Sequence, residues 1–235
     1  MIKGRFFMER TAAKSKIKNI VVLGMFAALA YVVHFVHIPI MFLNLDFKDV
    51  IITVSGLYFG PLSGILLAFV VPLLELITVG ETGIYGFIMN VISSMTFVFV
   101  ASIIYRFKKT FVGAIVGLVC GALSMTAIMM VANLLITPYY INADTETVAK
   151  LIPTVLLPFN AIKGILNAAL TLCLYKPMTK MIKAIGFGKS EESRKEKETE
   201  NSKLRSILVL VIGGAVAIAA FVVIFTVMGG TIEFN

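Results

Sequence analysis

ANLLITPYYINADTETVAKLIPTVLLPFNAIKGILN, residues 132 to 167, contains two apolar runs separated by a short polar stretch. Asn133 lies near the end of the first run. Asn160, Lys163 and Asn167 lie inside the second, spaced i, i+3 and i+7, so on a helix they share one face. An amide and an ammonium in a segment that must cross a bilayer are costly, and such residues mark a site by default. A plainer reading stands beside this one. Asn160 and Asn167 could bond helix to helix, and Lys163 could snorkel to the surface. Convergence of all of them on one face favours the site.

The rest of the chain fits around this stretch. Mean hydropathy is +0.96, with 59% hydrophobic and 14% charged residues. The charges come in blocks between long apolar runs, which identifies an all-α integral membrane protein. A length of 235 residues leaves room for six or seven spans of about 20 residues and for no soluble domain of useful size. Cys120 and Cys173 both fall in apolar runs, which suggests neither disulfide nor zinc chemistry and reads as two small buried apolar residues.

In chain order, a basic cytoplasmic N-terminus over residues 1–16 precedes a first helix over 17–37, too long and without a convincing cleavage site to be a signal peptide. The connector HIPIMFLNLDF is apolar for a loop. A short second helix, 48–59, breaks at Gly60-Pro61. A third follows over 62–79 with a kink expected at Pro72, and a fourth over 85–105. The fifth helix, 111–137, is expected to stop at Pro138, and the sixth covers 153–175. The six-helix membrane domain thus occupies 17–183. A charged cytoplasmic linker over 184–206 leads to a seventh helix over 207–229, which reads as an extra anchor, and an external tail over 230–235.

Lys and Arg set the orientation. Of 21, 18 lie in the N-terminal segment, the connector between helices 4 and 5, and the stretch after helix 6, which places these in the cytoplasm. The N-terminus is then inside and the C-terminus outside. That topology puts Asn133, Asn160, Lys163, Glu75, Thr78 and Asn90 in the outer halves of their helices, around one outward-opening cavity beneath the connector. A channel would instead line its whole length with polar groups. Two amides and a lysine beside Phe42, Phe47, Tyr139, Tyr140 and Phe159 suit a flat heteroaromatic ligand with adjacent carbonyl and ring N–H groups.

The small-residue helix GMFAALA, the turn LYFGPLSG, the ANLLITPYY end of helix 5 and the LLPFNAIKG start of helix 6 are together similar to one family. Over roughly residues 15 to 183 the chain resembles the riboflavin-specific substrate-binding components, or S components, of energy-coupling-factor (ECF) vitamin transporters. The resemblance implies a six-helix S-component bundle with riboflavin as transported ligand and no cofactor of its own. It implies that Asn133, Asn160 and Lys163 contact the isoalloxazine ring, with Glu75 beside them, and Tyr139 joins the ligand-binding set from the aromatics above. The connector, with Leu43, Asn44 and Phe47, would be a lid. It also implies a transmembrane coupling protein and two cytoplasmic ATPases as partners, with the lipid bilayer and no nucleic acid. Small residues of helix 1 would face the coupling protein, here Gly24, Ala27, Ala28 and Ala30, although the family's usual spacing is not met.

Other readings are weaker. Gly186-Phe187-Gly188-Lys189-Ser190 looks like the end of a phosphate-binding loop, but position 183 is Lys where the first Gly is needed, and no strand precedes it. His34 and His37 read as an interfacial pair at the end of helix 1. No catalytic carboxylate cluster is expected, with Glu75 the one acid well inside a span. The rivals are an S component for another vitamin, a small membrane enzyme using Glu75 and Lys163 as acid and base, and an anchoring subunit.

Overall fold

The computed structural model describes residues 2–80, 83–184, 200–226 and 233–234. Helix α1, Ile2–His34, leads into strands β1, Val36–Ile40, and β2, Leu43–Asp46, then into α2, Lys48–Phe59, α3, Pro61–Thr78, and α4, Gly83–Phe107. Helix α5, Phe111–Ile141, is followed by short α6, Thr145–Leu151, a π-helical turn over Ile152–Leu156, α7, Leu157–Ala184, α8, Glu200–Thr226, and strand β3, Glu233–Phe234. Helices α1 to α5 and α7 form the six-helix bundle, and α8 is the seventh helix. Among the described residues, five segments are long and apolar enough to cross a bilayer: Ile17–His34, Pro61–Thr78, Gly83–Phe107, Phe111–Ile141 and Thr145–Tyr175. Their outer surfaces are lined by residues such as Ile20, Leu62, Leu123 and Leu135, which is what lipid contact requires.

Local chemistry explains the joints. Gly60 at φ 104° makes the break between α2 and α3, and Pro61 opens α3, where its missing N–H costs nothing. A Cβ on Gly64 would stand 2.4 Å from Val98 Cγ1, and one on Gly117 would stand 2.6 Å from the Ala101 carbonyl oxygen, so α3, α4 and α5 approach each other through glycine. The Thr110 hydroxyl caps α5 by accepting from Gly113 N at 3.1 Å.

Several boundaries differ from those expected. Pro138 does not stop α5. It removes one donor near the helix end, and the helix continues to Ile141, where Asn142 takes the left-handed capping conformation. The stretch read as a loop before helix 6 is largely helical, in α6 and the π turn. The wide turn falls where Pro153 and Pro158 interrupt the normal ladder, with Leu157 N donating to the Ile152 carbonyl. Helix α7 runs past Tyr175 to Ala184, and α8 starts at Glu200, so both extend into the expected 184–206 linker. Gly186 to Ser190 lie outside the described residues.

The largest difference is the connector. It is a β-hairpin, with His37 paired to Asp46, Ile38 to Leu45, Pro39 to Asn44 and Ile40 to Leu43. Met41, in the left-handed region at φ 56°, makes the two-residue turn with Phe42. His37 is therefore a strand residue and does not continue α1, although its ring stacks against His34 at 6.4 Å. The tail expected outside the membrane supplies β3, which pairs antiparallel with β1 through Val36–Phe234 and His37–Glu233. Strand order is β2-β1-β3.

Two apolar cores result. One joins Phe26, Ile52, Val71, Phe97 and Met125 across α1 to α5. The other joins Ile38, Ile40 and Leu45 of the hairpin to Phe159, Leu166 and Ala169 of α7 and to Ala217, Ala220 and Ile224 of α8.

Candidate functional site

Successive residues of a strand face opposite sides, and the hairpin uses this fully. Ile38, Ile40, Leu43 and Leu45 form its apolar face, packed in the second core. His37, Asn44 and Asp46 belong to the other face. Asp46 meets the ammonium groups of two helices, and a third helix joins through Lys48. Lys48 at the start of α2, with no exposed surface, places Nζ 3.1 Å from Asp46 Oδ2 and 2.6 Å from Glu75 Oε2 on α3. Lys163 on α7 places Nζ 3.5 Å from Asp46 Oδ2 and 3.7 Å from Asp49 Oδ2 on α2. Burial alone would raise the Asp46 carboxyl, but Lys163 and Lys48 outweigh it and hold that carboxyl below the usual range.

Hydrogen bonds extend the cluster. Ser94 on α4 donates to Asp49 Oδ1 at 2.5 Å, and Asn167 Nδ2 donates to Asp49 Oδ2 at 3.4 Å. His34 Nδ1 faces Glu75 Oε1 at 3.4 Å. Three carboxylates thus share a buried site with two ammonium groups, a charge arrangement that a low-dielectric interior permits only when the groups are paired.

Asn160, Lys163 and Asn167 do share one buried face of α7. They are used differently. Lys163 is ion-paired and does not snorkel, while Asn167 links helix to helix. Asn160 donates to the Leu156 carbonyl at 2.8 Å. Asn133 on α5, also buried, donates to the Met129 carbonyl at 2.7 Å and accepts from Thr137 Oγ1 at 2.8 Å. Both amides are therefore held in fixed orientation by their own helices.

A recess opens beside the cluster, lined by His34, Asn44, Asp46, Pro72, Glu75, Leu76, Phe87 and Asn90 among others. Its free volume is about 30 Å³, room for about one or two waters. Asp46 Oδ1 and Glu75 Oε1, at its edge, are buried acceptors without a hydrogen-bond donor among the described residues. Asn44 and Asn90 line the recess with Glu75, whereas Asn133, Asn160 and Lys163 are not among its lining residues.

Other expected residues separate. Tyr139 is 68% exposed on α5, whereas the amides of Asn133 and Asn160 are buried. Leu43 packs in the second core, and Phe47 precedes α2 with its ring 5.8 Å from that of Phe221 on α8. On α1, Gly24 and Ala28 are exposed and Ala27 half-buried, but Ala30 has no exposed surface and faces the first core, so it presents nothing to a partner. Cys120 and Cys173 are free and half-buried.

The carboxylate cluster is a correction to the sequence reading, which counted Glu75 alone. In sequence, Asp46, Lys48 and Asp49 fall in a connector and at the start of a short helix, where charges are usually solvated. One signal was available: Lys48 stands at a helix N-terminus, where a cation opposes the helix dipole unless carboxylates surround it. Pairing also weakens the enzyme alternative, because Glu75 is bonded to Lys48 and Lys163 to Asp46 and Asp49, leaving neither as a free acid or base.

Residues 18–175 match the family model described as ECF transporter, substrate-specific component. The chain is 32% identical over 179 residues to the riboflavin transporter RibU of Staphylococcus aureus (strain TCH60), a match covering 72% of this chain and 94% of that protein. It is 30% identical over 163 residues to the riboflavin transporter FmnP of Bacillus subtilis (strain 168), covering 64% of this chain and 86% of that one. A solved structure described as the S component of a bacterial ECF transporter superposes with a TM-score of 0.63 at 27% identity, over 72% of this chain and 99% of the other.

Proposed function

The chain belongs to the substrate-specific components of ECF transporters, and from that membership we propose that it is the riboflavin-binding membrane subunit of an ATP-driven vitamin importer. A substrate-specific component binds cargo and is not itself an enzyme. The observation that carries the choice of cargo is that the S. aureus and B. subtilis relatives are both named as riboflavin transporters. The chemistry of the site agrees. Amide groups of Asn133 and Asn160 and the Lys163 ammonium would read the polar edge of the isoalloxazine ring, and Phe159, next to Asn160 in the chain, would supply an apolar surface. The unbonded acceptors Asp46 Oδ1 and Glu75 Oε1 would take hydrogen bonds from ribityl hydroxyls or the ring N–H.

A three-ring ligand is far larger than the recess, and lifting the β1–β2 hairpin would open the way in. Lifting it breaks the Asp46 pairs to Lys48 and Lys163, and closure restores them or replaces them with ligand contacts. The hairpin would face outside, with the N-terminus in the cytoplasm. A transmembrane coupling protein docking near Gly24 and Ala28 and two cytoplasmic ATPases would complete the importer, ATP hydrolysis occurring on those partners.

An absorbance spectrum of the detergent-purified full-length protein tests the reading. Co-purified riboflavin gives the yellow colour and visible bands of an oxidised flavin, which a chain without tryptophan cannot supply. A colourless protein that shows no binding in a riboflavin titration overturns the choice of ligand.

A further inference from the structure

The family match ends at Tyr175, before α8 begins, yet α8 shares a core with the hairpin and β3 pairs with it. Ala217, Ala220 and Ile224 bury the hairpin's apolar face together with α7, and Phe221 lays its ring 5.8 Å from that of Phe47 at an interplanar angle of 33°. Strand β3 adds backbone pairing to β1 at Val36 and His37. A helix that serves only as an anchor needs lipid on its sides and has no use for a strand partner at the far end. Close packing of α8 on α7, where a Cβ on Gly213 would stand 3.0 Å from Cys173 Sγ, fixes the base of this arrangement.

We propose that α8 and β3 are the back half of the ligand gate: by holding the apolar face of the β1–β2 hairpin they set how long the ligand, riboflavin on the reading above, stays bound. Asp46 anchors the front of the hairpin to the charge cluster, and the C-terminal segment anchors its back. Opening must take Ile38, Ile40 and Leu45 out of the core they share with α7 and α8, so the apolar surface that α8 contributes raises the barrier to release.

The test uses the full-length protein in nanodiscs, with two readouts. The first, independent of any ligand, is backbone hydrogen exchange over residues 36–46. The second is the riboflavin dissociation rate after dilution into excess unlabelled ligand. Phe221→Ala is expected to speed both about tenfold, the effect of losing about 1.4 kcal/mol of barrier. A second variant pairs Val36→Cys with Phe234→Cys, register partners across β1 and β3, in a background of Cys120→Ala and Cys173→Ala. Oxidation is expected to form the crosslink and slow both readouts, and reduction to reverse this.

Failure of the crosslink to form in folded protein overturns the placement of β3 at the gate. Exchange and release unchanged by Phe221→Ala and by the crosslink overturn the gate while leaving the riboflavin reading intact. If wild-type protein binds no riboflavin but hairpin exchange responds to both variants, the gate stands and the ligand assignment falls.

Discussion

Lys48→Met removes one of two ammonium groups from a site with three buried carboxylates. Lys48 has no exposed surface, and its Nζ bonds Glu75 Oε2 at 2.6 Å and Asp46 Oδ2 at 3.1 Å. Methionine is similar in length and fits the same space, so the change isolates charge from packing. Afterwards Asp46, Asp49 and Glu75 share Lys163 as the one remaining ammonium of the cluster, and Glu75 keeps only the His34 imidazole, 3.4 Å from its Oε1. Breaking a buried pair by deleting one partner costs about 3–5 kcal/mol, since the remaining charge stays desolvated. For a chain of this size each kcal/mol shifts the melting temperature by about 2–4 °C, so the expected loss is about 6–20 °C. The assay is thermal unfolding in detergent, followed by loss of the monodisperse peak on size exclusion. The companion variant, Lys48→Met with Glu75→Gln, removes one charge of each sign and is expected to recover at least half of the loss, a coupling that a double-mutant cycle measures. A single variant within about 2 °C of wild type, less than about 1 kcal/mol on that scale, would refute the argument that the cluster holds the hairpin end together. A double variant no better than the single would refute the assignment of Glu75 as the partner.

Asn160→Ala and Lys163→Ala are each expected to weaken riboflavin binding by about 1.5–3 kcal/mol by calorimetry, at a temperature where both remain folded, because each leaves a ligand group unpaired in a dry site. Unchanged affinity in both would remove these residues from the site. Tyr139→Ala, at an exposed position, is expected to leave affinity at the wild-type value, and a tenfold loss there would bring the tyrosine back into the pocket. Gly117→Ala forces a Cβ against the Ala101 carbonyl at 2.6 Å and is expected to cost about 1–3 kcal/mol of stability. A melting temperature at or above wild type would show that α4 and α5 separate without penalty.

Much of the architecture was legible because membrane spans have a strong signature. Residues 48–59 were read as a helix, and Lys48–Phe59 is one, because Gly60-Pro61 punctuates it unambiguously. Pro138 misled, since a proline near a helix end costs a single hydrogen bond and the chain tolerates it. The hairpin was hidden for a different reason. HIPIMFLNLDF alternates over only a few residues, with Pro39 in the run and Met41 at a turn where glycine or asparagine is usual. On the candidate site, the shared face of Asn160, Lys163 and Asn167 followed from helical spacing. What Lys163 and Asn167 bond to did not, because Asp46 and Asp49 come from more than a hundred residues earlier in the chain, and no local pattern carries that pairing.

The hairpin's division into an oily side and a charged side makes its length quantised. Side chains alternate with a period of two, so a slip of one residue in the β1–β2 register would turn Leu45 toward the lysines and Asp46 toward Ile224 and Phe221. The two-residue turn at Met41-Phe42 therefore acts as a parity check on the connector: one inserted or deleted residue within the strands inverts it, whereas a change of two preserves its sidedness. Variation in this protein's relatives at that turn should accordingly come in even steps, or be accompanied by a bulge that restores the count.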